Sequence, residues 1–230
     1  MITDISSDFV RIILVLILIS AALIISTRTL SALVRVYFVQ SLLIAVLACL
    51  LWFITGESTL LLIAVITLIA KVILIPLFIR AIQQKIHIRR DLEFSYLKPA
   101  GSITVSLGLI LLVYVVFSRV LSRFAEENPL FFLGAVVGFS LVLMGMLVTF
   151  SRKKTITKVM GYLSMENGVL IFGCFATELP FIAEVMILID LIILVILTTI
   201  LTVGIDSSLE EFQERLVKYH IWPAGEDEQW

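Results

Sequence analysis

Seven runs of mostly apolar residues, each 17 to 24 long, constrain this chain more than anything else in it. They lie at about Phe9–Ser26, Val36–Thr55, Leu60–Ile79, Ser102–Ser118, Leu130–Phe150, Val159–Ala176 and Pro180–Val203. A helix rises about 1.5 Å per residue, so roughly 20 residues cross the hydrocarbon of a bilayer. Lipid offers no partner to backbone amides, so such runs close their hydrogen bonds within a helix. The expected fold class is therefore an all-α integral membrane protein with about seven transmembrane helices. Polar or turn-forming residues separate the runs, as in Thr55-Gly56-Glu57-Ser58, Glu126-Glu127-Asn128-Pro129 and Thr177-Glu178-Leu179-Pro180. Composition agrees: 60% of the residues are apolar and 15% charged, against about 45–50% and about 25% in soluble domains. This balance excludes a soluble enzyme, a disordered chain and a nucleic-acid binder. Cys49 and Cys174 both lie inside apolar runs, which argues against a disulfide framework or a metal cluster.

The distribution of Lys and Arg sets the expected orientation. One set of connections carries Arg28, Arg35, Arg80, Lys85, Arg89, Arg90, Lys98, Arg152, Lys153, Lys154 and Lys158, and the tail adds Arg215 and Lys218. The opposite side holds Arg11, Arg119 and Arg123. Positive charge collects on the cytoplasmic side of membrane proteins. The N-terminus is expected outside, the C-terminus in the cytoplasm, and the chain in the cytoplasmic membrane as a multi-pass protein. The first run is expected to be retained, because Asp4 and Asp8 precede it rather than a basic cluster. The expected organisation is an N-terminal three-helix unit with a basic cytoplasmic loop (1–101), a C-terminal membrane unit (102–204) and a cytoplasmic tail (205–230).

Past the first three residues of each run, four charged residues fall inside the runs: Lys71, Glu166, Glu184 and Asp190. A charge at the bilayer centre costs about 2.5–3.5 kcal/mol on insertion scales. Lys71 stands nine residues before Arg80, about 13 Å along a helix, and Glu166 eight residues after Lys158, about 12 Å. Asp190 is ten residues past Pro180, about 15 Å. These three are expected near mid-membrane on three different helices, whereas Glu184 lies about one turn from an end. One reading is structural, with the acids as hydrogen-bond anchors and Lys71 as a salt-bridge partner. The other is a proton or ion path, since burial brings carboxyl and amine titrations toward neutral pH.

Around these charges, Asn167 adds a polar group beside Glu166. Gly161 and Gly168, seven apart on one face, and Gly173 are small residues suited to close helix packing. Pro76, five residues after Lys71, withholds a backbone donor and is expected to disturb the turn before it. In the tail, Ser208 and Glu211 have capping-box spacing, and Leu209, Phe212, Leu216 and Tyr219 form one helical stripe. That stripe suits docking to a partner or to the membrane surface. The basic segment after Arg80 suits anionic lipid. His87 and His220 lie in polar segments, and no dinucleotide or phosphate-binding glycine motif is present.

The stretch Lys158-Val-Met-Gly-Tyr-Leu-Ser-Met-Glu-Asn-Gly-Val-Leu-Ile-Phe-Gly173 resembles the hydrogenase-four component E family. Arg35-Val-Tyr-Phe-Val-Gln-Ser41 and Lys71-Val-Ile-Leu-Ile-Pro76 resemble it too. Its members are membrane subunits of group-4 nickel–iron hydrogenases and formate hydrogenlyase-type complexes. Their C-terminal part, here 129–204, is similar to the small three-helix K component of complex I and to the corresponding small component of Mrp-type cation/proton antiporters. The resemblance implies a membrane glutamate at Glu166 and a second acid at Asp190, a shorter residue than that family's glutamate. It also implies proton or sodium translocation beside antiporter-like and hydrogenase or complex I-like partner subunits. Nickel–iron and iron–sulfur centres are then expected in those partners, with no cofactor, metal or catalytic residue in this chain. A stand-alone cation/proton transporter and a structural scaffold subunit are the alternatives. The first three and last three runs are also open to a reading as diverged copies, with Gln40 and Lys71 opposite Glu166 and Asp190.

Overall fold

The computed structural model describes residues 2–27, 29–85, 99–152 and 155–175, with isolated positions between 185 and 199. Its regular elements there are all helical: α1 (Ile2–Ser26), α2 (Leu30–Thr55), α3 (Ser58–Ile66), α4 (Ile75–Lys85), α5 (Pro99–Val120), α6 (Ser122–Glu127), α7 (Pro129–Ser151) and α8 (Thr155–Phe175). Between α3 and α4 the chain continues as a π-helix over Thr67–Leu74, so that Ser58 to Lys85 forms one rod with a widened middle. Five of these rods are long and apolar enough to cross a membrane: α1, α2, the α3–α4 rod, α5 and α7. The sixth predicted run folds as α8, whose 21 residues match a bilayer in length. Ser164, Glu166 and Asn167 lower its apolarity, and all three are buried. Glu184 and Asp190 of the seventh run, and Leu209, Phe212 and Leu216 of the tail, lie outside the described residues.

Local chemistry sets the ends of the helices. After α2, Gly56 adopts φ +75°, a left-handed conformation that glycine reaches without a Cβ clash, and its N–H donates to Trp52 O at 2.8 Å. Pro129 opens α7 in the first turn, where a missing N–H costs nothing, and Phe132 N donates to Asn128 O. The sequence there predicts a plain turn; instead α6 fills most of it and the break narrows to Asn128. Arg152, just past α7, turns inward with 2% exposure and donates from Nη2 to Ile25 O (3.0 Å) and Thr27 O (2.8 Å). The last carbonyls of a helix lack intrahelical donors and carry partial negative charge, so this guanidinium closes the end of α1.

Packing ties the rods into one bundle. α2 touches α1, the α3–α4 rod and α8, while α7 touches α1, α5, α6 and α8. α7 and α8 make the closest pairing. A Cβ built on Gly161 would fall 2.7 Å from Thr149 N, and one on Gly168 2.5 Å from Gly138 O. One on Gly145 would collide with Met165 N. These are backbone atoms, which cannot swing aside, so the two helices meet along a groove that admits only glycine. The interior also inverts the soluble pattern. Lys71, Glu166, Gln40, Ser41 and Asn167 are buried, whereas Phe9, Phe53, Leu107, Leu111 and Phe150 face outward.

Candidate functional site: a buried ion pair among three rods

Helical spacing and one proline place the polar side chains. Gln40 and Ser41 lie in the middle of α2, Lys71 in the π segment, and Glu166 and Asn167 in the middle of α8. Gly161 and Gly168 hold one face of α8 against α7, which turns Glu166 and Asn167 toward α2 and Lys71. Pro76 follows the π segment within the first turn of α4. It has no N–H to donate, and its ring crowds the carbonyl four residues back, that of Val72. The ladder above it runs in the wider register, with Ile75 N–H donating to Ala70 O five residues back. The expected disturbance beside Lys71 is thus a full wide-turn segment that carries Lys71 itself.

Lys71 Nζ lies 2.9 Å from Glu166 Oε1, with the two residues 0% and 3% exposed. It also donates to Asn167 Oδ1 at 3.4 Å. Asn167 Nδ2 donates to Gln40 Oε1 at 3.2 Å and to Ser41 Oγ at 3.4 Å. An ammonium offers only donors, so it requires oxygen from its neighbours. Two acceptors on α2 engage the Asn167 amide nitrogen and leave its oxygen to face the lysine. The cluster joins three rods from distant parts of the sequence. Gln40 Nε2 and, on α7, Ser140 Oγ are buried without a hydrogen-bond partner among the described residues. Each such group costs about 1–3 kcal/mol.

An apolar interior is a poor place for this arrangement if stability alone matters. Replacing a buried ion pair with apolar residues of similar volume is often neutral or stabilising. What the pair offers is chemistry. Proton transfer along the Lys71 Nζ–Glu166 Oε1 axis converts an ammonium–carboxylate pair into a neutral amine–acid pair with little heavy-atom movement. The two states differ in how they respond to a charge arriving nearby. Among the described residues no three His, Cys, Asp or Glu side chains converge as a metal site would require.

Sequence reasoning places Lys71, Glu166 and Asn167 at one depth, and the structure brings them together; Gly161 and Gly168 lie against the backbone of α7, and Gly173 is buried on α8. The diverged-copy reading sets Gln40 opposite Glu166, and the fold places Gln40 in the same network through Asn167. Sequence reasoning misses Ser41, the end-closing role of Arg152, and the partner glycines Gly134, Gly138 and Gly145. The seven-residue spacing of Gly138 and Gly145, the same as that of Gly161 and Gly168, is the signal for the last of these. No family model, curated protein or solved structure matches the chain.

Proposed function

We propose that this chain is a membrane subunit of an energy-converting redox complex related to group-4 hydrogenases and complex I. In this reading it spans the membrane seven times, with its N-terminus outside, and passes protons or sodium ions laterally through Lys71 and Glu166. Asp190 on the seventh span continues the path, with Glu184 nearer its end. Asn167, Gln40 and Ser41 hold the pair in register. Electron transfer takes place in partner subunits carrying nickel–iron and iron–sulfur centres, and antiporter-like subunits take up the translocated ion. Leu209, Phe212 and Leu216 dock the tail on that assembly.

The observation that carries this reading is the 2.9 Å contact between Lys71 and Glu166 inside an apolar bundle. An ionisable side chain within a membrane bundle is by default a candidate for an ion path or a proton relay. The resemblance of Lys158–Gly173 to hydrogenase-four component E supports the choice of complex.

Glu166→Gln tests it. Glutamine keeps the shape and some hydrogen bonding but cannot cycle between neutral and ionised forms. In inverted vesicles containing the complex, the variant should assemble at normal levels and lose most redox-driven proton or sodium uptake. Glu166→Asp should retain part of it. Normal uptake by an assembled Glu166→Gln complex would leave the scaffold reading in front, and uptake by the isolated chain would favour a stand-alone transporter.

A further inference from the structure

A second feature lies outside the ion pair. Between the start of α2 and the junction of the π segment with α4 there is an open groove of about 310 Å³. It is lined by Arg35, Phe38, Val72, Ile73, Pro76, Leu77 and Arg80. Its chemistry is divided. Arg35 and Arg80 are exposed at the ends of their rods, whereas Phe38, Ile73 and Leu77 present bare apolar surface and Val72 and Pro76 form a buried floor. Neither arginine makes an ion pair or hydrogen bond with another described residue. The exposed acids Asp8, Glu57, Glu126 and Glu127 stand at the opposite ends of their helices. This end of the bundle is therefore cationic and, among the described residues, uncompensated.

We propose that the groove binds one anionic phospholipid, its phosphodiester held between Arg35 and Arg80 and an acyl chain lying along Phe38, Ile73 and Leu77. Guanidinium groups pair with phosphate oxygens in a charge-assisted, bidentate geometry. Basic pockets between membrane helices take anionic headgroups in this way. A free phosphate would satisfy the arginines but leave the apolar wall bare, and a zwitterionic lipid would bring a cation toward them. The floor residues Val72 and Pro76 follow Lys71 by one and five residues, at the C-terminal end of the wide segment, so the bound lipid braces that end from outside. The inference needs the rods to be embedded in lipid and does not depend on ion translocation.

The test uses the full-length chain purified in detergent, with phosphatidylglycerol and phosphatidylcholine added at equal concentration and retained lipid counted by native mass spectrometry. The expected result is one strongly retained phosphatidylglycerol. Arg35→Gln and Arg80→Gln should each lower retention about fivefold, as expected for the loss of one basic contact. Arg35→Lys with Arg80→Lys keeps the charges and should retain the preference in part, which separates binding from folding. Leu77→Trp fills the groove and should reduce retention with both arginines present. Equal retention of the two lipids, or full retention by the double Gln variant, overturns the proposal. Displacement of the lipid by millimolar inorganic phosphate would mark a free-anion site and overturn it too. A polypeptide that occupies the groove, cross-linked to position 38 or 77 in native membranes, would overturn it in favour of a protein interface.

Discussion

Asn167 faces Lys71 with its amide oxygen because Gln40 and Ser41 engage its amide nitrogen. This orientation makes the ion pair a three-rod feature: α2 orders α8, and α8 receives the lysine from the π segment.

Because each partner of the pair neutralises the other, single and double substitutions should differ. Lys71→Met leaves a buried carboxylate, and Glu166→Gln a buried ammonium. Lys71→Met should cost about 3–5 kcal/mol where the carboxylate stays charged. Glu166→Gln should cost less, because Lys71 keeps the Asn167 oxygen and gains an amide oxygen to face, and the double variant should lose less than the sum of the two. Thermal unfolding of the four proteins in one detergent checks this. A double variant as unstable as the sum of the two singles would mean that the residues act independently.

Close approach of α7 and α8 depends on the absence of side chains at particular points. Gly145→Leu and Gly168→Leu each place a side chain against backbone and should prevent normal folding or cost more than about 3 kcal/mol, the upper range for overpacking. A Cβ built on Gly108 of α5 would meet nothing within 4 Å, so Gly108→Ala should be neutral or stabilising by up to about 1 kcal/mol. Expression yield and melting temperature in detergent report both effects.

Pro76 holds the wide turn open by withholding a donor. Pro76→Ala restores that donor and should let Thr67–Leu74 close toward ordinary α-helix. A change of register rotates side chains by about 100° per residue, enough to swing Lys71 away from α8. Cysteines at 71 and 166, in a background lacking Cys49 and Cys174, should be bridged by a short bifunctional thiol reagent with Pro76 present. The same pair should cross-link several-fold less with alanine there.

The proposed topology rests on thirteen Lys and Arg on one side against three on the other. A single cysteine at position 4 should react with a membrane-impermeant maleimide in right-side-out vesicles, and one at position 153 in inverted vesicles. The reverse pattern would invert the orientation proposed for the ion path.

The sequence by itself determined the helical class, because long apolar runs leave the backbone no other way to satisfy its hydrogen bonds. It also determined the depth of the charges. Lys71 and Glu166, placed about 13 and 12 Å from the same side by counting residues, meet at one level. Pro76 announced a disturbed turn, since a missing donor is a property of the residue alone. Depth along a helix is a local quantity, but direction around it is not. Which way Asn167 turns, that Gln40 and Ser41 supply its acceptors, and that Arg152 leaves the basic loop to close α1 depended on how the rods pack. Those contacts span more than a hundred residues of chain, and no local pattern encodes them. The tertiary fold decided them by pressing glycine against glycine between α7 and α8, which fixes the rotation of α8 and so the face on which its acid and amide stand.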